Sequence, residues 1–384
     1  MENVGFKIDS DILNALKEKY RIEQESLENK IYELAGEEFN VNSPKQLANI
    51  LYLKLGLSHN KKQSTNADHL QEIEGEHEIV SYILRYRKVT KFLSTYVDGI
   101  YPHIDRNGFV HTYFKQTFTT TGRLSSTEPN LQNIPIRSEE SKEIRSMFVA
   151  SSKDNVLIDA DYSQIELRLL AHLSQDPAFV EAFTNGVDIH TKTASSVFGV
   201  PESEVTKDMR RMAKVVNFGV IYGISEYGLA DDLKISARDA KVYIKNYYDT
   251  HQAVGQFMDD AIKTAKETGK ATTLFGRTRK MFDINSSNFM IRSRAERASQ
   301  NMPLQGTAAD IIKIAMVNIF NALKQGGFKA KLIMQVHDEL IIDCPQEEKD
   351  EVLKLMKFEM ENACKLSVPL EVDATVSYRW SDGH

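Results

Sequence analysis

The sequence predicts an α+β protein in which helices flank a small antiparallel sheet. Apolar residues recur at helical spacing through the first hundred residues and again over residues 165–269. Two other segments have the composition of strands. Residues 156–159 are a short apolar run, and residues 331–343 hold a polar tip between two apolar arms, as a β-hairpin does. Helices packed against an antiparallel sheet define the α+β class.

Three helices are predicted in the first hundred residues. The first is an apolar-periodic run that ends at Gly36, and a short second helix opens at Ser43-Pro44. A third helix runs from about His77 to Tyr96. The polar segment 58–65 between the second and third helices is typical of an exposed loop.

The rest of the chain alternates between strands and helices. Residues 108–114 are predicted to be strand, and residues 165–269 are mainly helical with a Gly/Pro break at 198–201. A further helix covers about 308–324 and leads into the hairpin.

The composition is that of an ordinary globular chain. Its 384 residues are 41% hydrophobic and 27% charged, which is enough for two or three subdomains around real cores. No run approaches the roughly 18 to 20 apolar residues of a membrane span, and the N-terminus lacks the order of a signal peptide. Two cysteines, Cys344 and Cys364, are too few for a disulfide framework or a zinc site. We therefore expect a cytoplasmic protein with no membrane partner.

Charge is distributed unevenly along the chain. The formal net charge of −6 argues against a protein that coats nucleic acid without specificity, but an acidic total can coexist with a basic groove. Cations with few interleaved acids are concentrated at Arg277, Arg279, Lys280, Arg292, Arg294 and Arg297. A solvated face explains most charge runs, and phosphate binding is the alternative that this density favours.

Carboxylates follow the two predicted strands. In the stretch LIDADYSQIELR at 157–168, Asp159 and Asp161 end a strand and Glu166 lies on the first turn of the following helix. Asp338 lies at the tip of the hairpin, where turn chemistry alone also explains it. If the fold brings Asp161 and Asp338 together, their repulsion needs compensation. A hard divalent cation bound through oxygen commonly supplies it.

A stripe of cations and aromatic rings is predicted on one helix. Residues at intervals of four would share a face: Arg210, Lys214, Phe218 and Tyr222. Cations suit a triphosphate and aromatic faces suit a base, in that order along one ligand. The alternative is an amphipathic helix with solvated cations and core aromatics. Gly219 and Gly223 count against that alternative. Each costs roughly 1 kcal/mol inside a helix, which a close approach or a bend would explain.

The stretch 119–135 is dense in amide and hydroxyl groups and contains Arg123. Such groups suit hydrogen bonding along a polar surface such as a minor groove. An ordinary loop is the alternative for this stretch taken alone.

Together these motifs resemble family A DNA polymerases of the bacterial DNA polymerase I type. The resemblance is carried by Asp161-Tyr-Ser-Gln-Ile-Glu166, Arg210-x-x-x-Lys214-x-x-x-Phe218-Gly-x-x-Tyr222-Gly, Val336-His337-Asp338-Glu339, Gly122-Arg123-Leu-Ser-Ser and Pro129-Asn130-Leu-Gln132-Asn133-Ile-Pro. Their order and spacing hold from about residue 1 to Trp380. The resemblance implies DNA-templated DNA synthesis from dNTPs on a primer 3′-hydroxyl.

The resemblance also implies a right-hand architecture with an antiparallel-sheet palm, helical fingers and a helical thumb. The thumb would cover residues 1–100, the palm 101–175 and 252–384, and the fingers 176–251. We expect a monomer that binds primer–template DNA and dNTP.

Roles for individual residues follow from the resemblance. The implied catalytic residues are Asp161, Asp338, Lys214 and Glu339, and two Mg²⁺ ions would be held by Asp161, Asp338 and Tyr162. The implied nucleotide-binding residues are Arg210, Lys214, Phe218, Tyr222, His190, Glu166 and Gln164. The implied DNA-binding residues are Arg123, Asn130, Gln132, Arg297, Asn301, Gln305 and His337. Glu166 would be a steric gate against a 2′-hydroxyl, whereas Asp159 is expected to be structural.

The chain departs from the family pattern in three places. No acidic exonuclease motif is present, so we expect no proofreading. The loop at 58–65 is shorter than the family's usual thumb tip, and Leu93 stands where a lysine is common. Fewer phosphate contacts predict a weaker grip on duplex DNA and dissociation after few additions.

Two other classes of protein are considered. A single-subunit RNA polymerase shares the aspartate pair and a lysine-bearing helix, but Glu166 and the Phe218-Gly-x-x-Tyr222 pattern argue against it. A catalytically inactive nucleic-acid-binding module has no need for a metal pair, so the presence of Asp161 and Asp338 argues against that class.

Overall fold

The computed structural model describes residues 1–135 and 138–383, and the chain divides into two compact units. The larger unit comprises Met1 and residues 114–127 and 152–377. The smaller unit comprises residues 2–113, 128–151 and the segment that begins at Tyr378. Most of the range predicted to be the thumb thus falls in the smaller unit, and the range predicted to be the fingers falls in the larger one.

Helices and strands alternate along the described chain. The helices are α1 (Ser10–Ala35), α2 (Pro44–Ala48), α3 (Ala67–Glu72), α4 (Glu78–Phe92), α5 (Glu139–Ser146), α6 (Ile165–Ser174), α7 (Pro177–Thr184), α8 (Ile189–Phe198), α9 (Lys207–Ile221), α10 (Glu226–Leu233), α11 (Ala237–Thr250), α12 (Gln252–Thr268), α13 (Phe289–Gln325) and α14 (Lys349–Glu361). The strands are β1 (Phe6–Ile8), β2 (Phe109–Val110), β3 (Tyr113–Lys115), β4 (Ser125–Thr127), β5 (Phe148–Val149), β6 (Asn155–Tyr162), β7 (Lys270–Thr272), β8 (Thr278–Lys280), β9 (Lys331–Val336), β10 (Glu339–Pro345) and β11 (Val372–Ser377). The predicted α+β class is confirmed.

The three helices predicted in the first hundred residues are present in the smaller unit. The Asp9 carboxylate caps the start of α1, and Gly36 ends that helix in the left-handed conformation with φ 72°. Both α2 and α4 continue into π-helical turns, Asn49–Lys54 and Leu93–Val97. The short helix α3 was not predicted. The segment 58–65 is an irregular loop, exposed except near its end.

A three-stranded sheet in the smaller unit has the order β2-β1-β5. Its aromatic core includes Phe6 and Phe148, with ring centroids 5.0 Å apart, and Trp380, whose ring lies edge-on to Phe148. The buried Arg145 guanidinium lies 4.2 Å from the centroid of the Trp380 ring. These contacts attach the C-terminal segment to the strands of this unit.

The larger unit is built on a four-stranded antiparallel sheet with the order β11-β6-β10-β9. The central strand β6 has fully buried residues, Ile158 and Ala160, because helices cover it. The predicted hairpin is β9 and β10, joined at His337 and Asp338, and His337 adopts φ 49°. The sheet therefore brings the ends of two acidic strands to one edge.

Helices fill most of the remaining larger unit. The predicted helical region 165–269 is confirmed as α6 to α12. The predicted helix at 308–324 is wrong about its start, because α13 begins at Phe289, where Asn288 caps it. The first half of α13 is rich in exposed arginine and contains Pro303, so its apolar period is weak there.

Helix α13 is the one helix in the described part of the chain that is long and apolar enough to span a membrane. About half of the relevant window, 56%, is buried inside the fold, as in a core helix of a globular protein. Its buried residues Ile311, Ala315 and Ile319 belong to the main core of the larger unit.

Candidate functional site

Two acidic strand ends meet at one edge of the large sheet. Asp161 near the end of β6 pairs in register with Glu339, the first residue of β10. Asp338 immediately precedes Glu339, and its carbonyl accepts a hydrogen bond from the Tyr162 N–H at 3.2 Å. The structure thus brings together the two aspartates that lie far apart in the sequence.

The two aspartates differ in their surroundings. Asp161 is exposed, whereas the Asp338 side chain is 28% exposed. Burial raises the pKa of Asp338 above its usual value, and Arg123 and His337 oppose that change. Asp159, two residues before Asp161 on β6, is 4% exposed, which suits the structural role predicted for it.

The donor atoms at this edge suit a hard divalent cation. Asp161 and Asp338 offer carboxylate oxygens, which Mg²⁺ prefers. Tyr162 offers only its main chain, because its buried phenol donates to the Met360 carbonyl at 2.7 Å. Among the described residues, no group of three or more His, Cys, Asp or Glu side chains could hold a metal. Mg²⁺ commonly completes its coordination with water and substrate oxygens.

Glu166 lies beside this edge at the start of α6. Its side chain is 6% exposed and both oxygens are engaged: Oε1 lies 2.9 Å from Arg123 Nη2, and Oε2 accepts from the Tyr222 hydroxyl at 3.0 Å. Burial raises the pKa of Glu166, the Arg123 guanidinium lowers it, and Asp338 raises it further. Gln164, another predicted site residue, is the N-cap of α6 and adopts a left-handed conformation with φ 55°.

Arg123 links Glu166 to the acidic edge. Its Nη2 atom lies 4.0 Å from Asp338 Oδ1 as well as 2.9 Å from Glu166. Arg123 was predicted to contact DNA, and these ion pairs were not predicted. Arg123 lies far from Glu166 and Asp338 in the sequence, so no local motif indicates these ion pairs.

The predicted stripe lies on α9. Arg210, Lys214 and Phe218 lie within the helix, and Tyr222 is its C-cap residue, 47% exposed. Lys214 is exposed, and no ion pair in the described part of the chain engages its ammonium. Arg210 instead pairs with Asp188, with Nη2 2.6 Å and Nε 2.7 Å from Oδ2.

Asp188 was not among the predicted site residues. Its Oδ1 atom caps α8 by accepting from the His190 and Thr191 N–H groups, at 2.8 Å and 3.2 Å. The sequence Asp-Ile-His at a helix start contains a capping signal that could have indicated this role. Its second oxygen is thereby turned toward Arg210.

His190 is buried behind the stripe. It is 2% exposed, and its Nδ1 accepts from Asn217 Nδ2 at 3.0 Å, while the Thr193 hydroxyl donates to the Asn217 oxygen at 3.1 Å. Burial, with Arg210 and Lys214 nearby, lowers the pKa of His190 to about 4. The imidazole is therefore neutral at pH 7 and can take part in hydrogen bonds without carrying a charge.

Glycine is required at positions 219 and 223 by different local contacts. Gly219 lies inside α9, and a Cβ there would lie 2.8 Å from Ile224 Cγ2. Gly223 lies beyond the helix end with φ 63°, and a Cβ there would lie 2.7 Å from Arg297 Cγ. The expectation that Gly223 is inside a helix is wrong. Protein side chains, rather than a bend of α9, approach both positions closely.

The predicted DNA-binding residues divide between the two units. Arg297, Asn301 and Gln305 form one stripe on α13 in the larger unit, and His337 is exposed at the hairpin tip. Asn301 Nδ2 is buried and has no hydrogen-bond partner among the described residues. In the smaller unit Asn130 caps a short 3₁₀ turn, and Gln132 within that turn is 8% exposed.

Comparisons with known proteins identify the family of the chain. A sequence profile of DNA polymerase family A matches residues 10–382. The chain belongs to DNA polymerase family A. It is 50% identical over 385 residues to DNA polymerase I of Caldicellulosiruptor bescii, covering 99% of this chain and 45% of that protein. It is also 50% identical over 387 residues to DNA polymerase I of Bacillus subtilis, covering 100% of this chain and 44% of that protein.

A solved structure of this family has the same fold. The POL domain of Pol1 from M. smegmatis, in complex with DNA primer–template and dNTP, superposes with a TM-score of 0.92 at 40% identity, over 98% of this chain and 68% of that one. The predicted resemblance to family A and the right-hand fold class are confirmed. This member of family A spans about half the length of the curated relatives it matches.

Proposed function

We propose that the chain is a DNA-templated DNA polymerase that joins a dNTP to a primer 3′-hydroxyl and releases pyrophosphate. The observation that carries the proposal is the meeting of Asp161 and Asp338 at one sheet edge, next to the Glu166–Arg123 pair. The relatives are named DNA polymerase I, and the solved neighbour holds primer–template DNA and dNTP. Because those relatives are bacterial, we place the activity in the cytoplasm.

Asp161 and Asp338 would hold two Mg²⁺ ions, with the Tyr162 carbonyl as a further ligand and Glu339 beside them. When bound, such a pair activates an attacking hydroxyl and stabilises a leaving phosphate oxygen. The raised pKa of Asp338 supports this assignment, because a carboxylate that is costly to ionise alone gains from a nearby cation.

The α9 cations would hold the triphosphate. Lys214 is exposed and unpaired within the described chain, so its ammonium is available for charge that develops on the leaving group. Arg210 would exchange Asp188 for phosphate oxygens, and neutral His190 would contribute a hydrogen bond. Phe218 would stack on the incoming nucleotide, and Tyr222 would lie by the templating base.

Glu166 would exclude a 2′-hydroxyl from the nucleotide site. Its support is the position of the carboxylate, buried and fixed by Arg123 and Tyr222 next to Asp338. A fixed carboxylate cannot move aside to admit another oxygen. Gln164, at the start of the same helix, would also bind the nucleotide. The DNA-facing residues would be Arg123, Asn130, Gln132, Arg297, Asn301, Gln305 and His337.

The proposal also covers the subdomain boundaries, proofreading and the oligomeric state. The thumb would be residues 1–100, the fingers 176–251, and the palm the remainder. These 384 residues would lack proofreading, because the family profile occupies nearly all of them. The protein would act as a monomer.

Primer extension tests the proposal. We expect the purified chain to extend a primed template with dNTPs and Mg²⁺, and to stop when the metal is chelated. Extension with rNTPs but not dNTPs would instead support the RNA polymerase alternative, which membership of DNA polymerase family A disfavours. Duplex binding without any extension would support the inactive binding module.

A further inference from the structure

The loop that carries Arg123 is held from behind at Gly122. Gly122 has φ 83°, and a Cβ added there would lie 2.7 Å from Arg277 Cζ. The Lys313 ammonium of α13 donates to the Gly122 carbonyl. Only glycine combines this backbone conformation with so close an approach of a cationic side chain. Two cations therefore contact the residue just before Arg123.

Asp310 of α13 holds the first of these cations. Its Oδ1 accepts from Arg277 Nε at 2.8 Å and lies 2.6 Å from Nη2. Its Oδ2 accepts from the Thr273 hydroxyl at 2.8 Å. Thr273 and Arg277 bound the turn between β7 and β8, where the Thr273 N–H donates to the Arg277 carbonyl at 2.9 Å. One carboxylate thus ties both the turn and the guanidinium to α13.

The charges at this point compensate one another. The Asp310 side chain is 9% exposed, and a carboxylate so buried is stable only when paired and hydrogen-bonded. Burial and the Arg277 charge lower the pKa of Lys313, and Asp310 opposes that change. Asp310 therefore offsets the repulsion between the two cations that contact Gly122.

We propose that Asp310, Arg277 and Lys313 are positioning residues that set the place of Arg123 at the candidate active site. They act on Arg123 through the Gly122 backbone. The inference rests on the proposed function, in which Arg123 faces the DNA and pairs with Glu166.

The contacts form a continuous path from α13 to the gate. Asp310 holds Arg277, Arg277 and Lys313 hold Gly122, and Arg123 holds Glu166 at 2.9 Å. A guanidinium displaced by about 1 Å costs on the order of 10²-fold in rate when the geometry of reacting groups depends on it. Loss of Asp310 should therefore reach the chemistry without a direct contact.

Hydrogen exchange on the free chain tests the positioning without any need for activity. We expect the amides of residues 119–125 to exchange faster in Asp310→Asn than in the wild type. Asp343→Asn is the matched control, because Asp343 and Asp310 are each 8% exposed as whole residues. Asp343 accepts from Asn155 Nδ2 at 2.7 Å, at the other end of β10. Equal exchange of residues 119–125 in the two variants would overturn the proposal.

A double-mutant cycle tests the route to Arg123. Asp310→Asn should lower kcat for single-nucleotide addition by roughly 10- to 100-fold with a smaller change in KM for dNTP. Added to Arg123→Ala, it should cause little further loss, because both changes remove the same placement. Additive losses would show that Asp310 acts elsewhere and would overturn the route.

The two tests separate this inference from the proposed function. If the wild type extends no primer, the proposed function fails, and the exchange of residues 119–125 still decides the positioning. If Asp310→Asn does not fold, Arg277→Lys takes its place, because lysine keeps the charge but loses the two-point contact with Asp310. Unchanged exchange in Arg277→Lys would likewise overturn the proposal.

Discussion

Two ion pairs beside the site differ in burial, and the difference separates exchangeable contacts from fixed ones. In the Arg210–Asp188 pair the side chains are 46% and 39% exposed, at 2.6 Å. In the Arg123–Glu166 pair they are 28% and 6% exposed, at 2.9 Å. The distances are similar, so the two pairs are distinguished by their exposure to solvent and not by their length.

An exposed ion pair contributes about 0–1 kcal/mol, because water screens it and competes for both partners. Removal of one partner from a buried pair costs about 3–5 kcal/mol, because the other charge is left without compensation. Arg210 can therefore leave Asp188 for a phosphate at little cost, whereas Arg123 and Glu166 stay together. The Arg210–Asp188 pair therefore suits ligand binding, and the Arg123–Glu166 pair suits a rigid part of the site.

The largest effect is expected from substitutions at the acidic edge. Asp161→Asn or Asp338→Asn should lower primer extension at least about 10³-fold, because metal-ion stabilisation is worth several kcal/mol and 1.36 kcal/mol is tenfold. Duplex affinity, measured by fluorescence anisotropy, should change little. The Asp343→Asn variant should extend normally. Near-wild-type extension by either active-edge variant would contradict the two-metal assignment.

Lys214→Ala should have the next largest effect. The ammonium acts on charge that develops during transfer, so kcat should fall by about 10²-fold or more while KM for dNTP changes less. Pre-steady-state single-turnover kinetics measure both quantities. Arg211→Ala is a suitable control, because Arg211 is 61% exposed on the same helix and pairs with Asp208. A change in KM alone would make Lys214 a ground-state contact.

Glu166→Ala breaks the buried pair. We expect the rNTP/dNTP ratio of kcat/KM to rise about tenfold or more, because a fixed carboxylate no longer fills the place of a 2′-hydroxyl. The alternative is that Glu166 only supports the start of α6, a helix-dipole effect of up to about 1 kcal/mol. That role predicts a lower melting temperature with an unchanged ratio, which would rule out the gate.

His190 predicts a pH dependence of stability. Its folded-state pKa of about 4 lies below the usual 6.5, so the neutral form favours folding. This contribution is fully present above pH 6.5 and is lost as pH falls toward 4. Between those values the free energy of unfolding should fall more steeply in the wild type than in His190→Gln. Parallel denaturation curves across this range would mean that His190 is not held neutral by burial.

The smallest effect is expected at the exposed pair. Asp188→Asn keeps the cap of α8, because asparagine caps as well as aspartate, but removes the charge that competes with phosphate for Arg210. KM for dNTP should fall by no more than about fivefold, the equivalent of roughly 1 kcal/mol. A rise in KM would show that Asp188 holds Arg210 in a required place, and the two pairs would then be alike.

The sequence alone determined the family and the elements that carry most of the predicted site residues. Strand and helix periods identified β6, the β9–β10 hairpin and the α9 stripe, because these patterns repeat within a few residues of one another. The motifs around Asp161 and Asp338 indicated the family for the same reason, since each motif is contiguous. The start of α13 was not predicted, because the exposed, arginine-rich first half of the helix has little apolar periodicity.

Tertiary structure alone decided which charges meet. Nothing near Arg123 in the sequence points to Glu166, and nothing near Gly122 points to Arg277 or Lys313. Tyr162 was expected among the metal ligands, yet packing directs its phenol to Met360 and leaves only its main chain at the edge. The physical reason is that burial and pairing depend on distances between segments far apart in the chain. Periodicity reports only which face of an element turns inward.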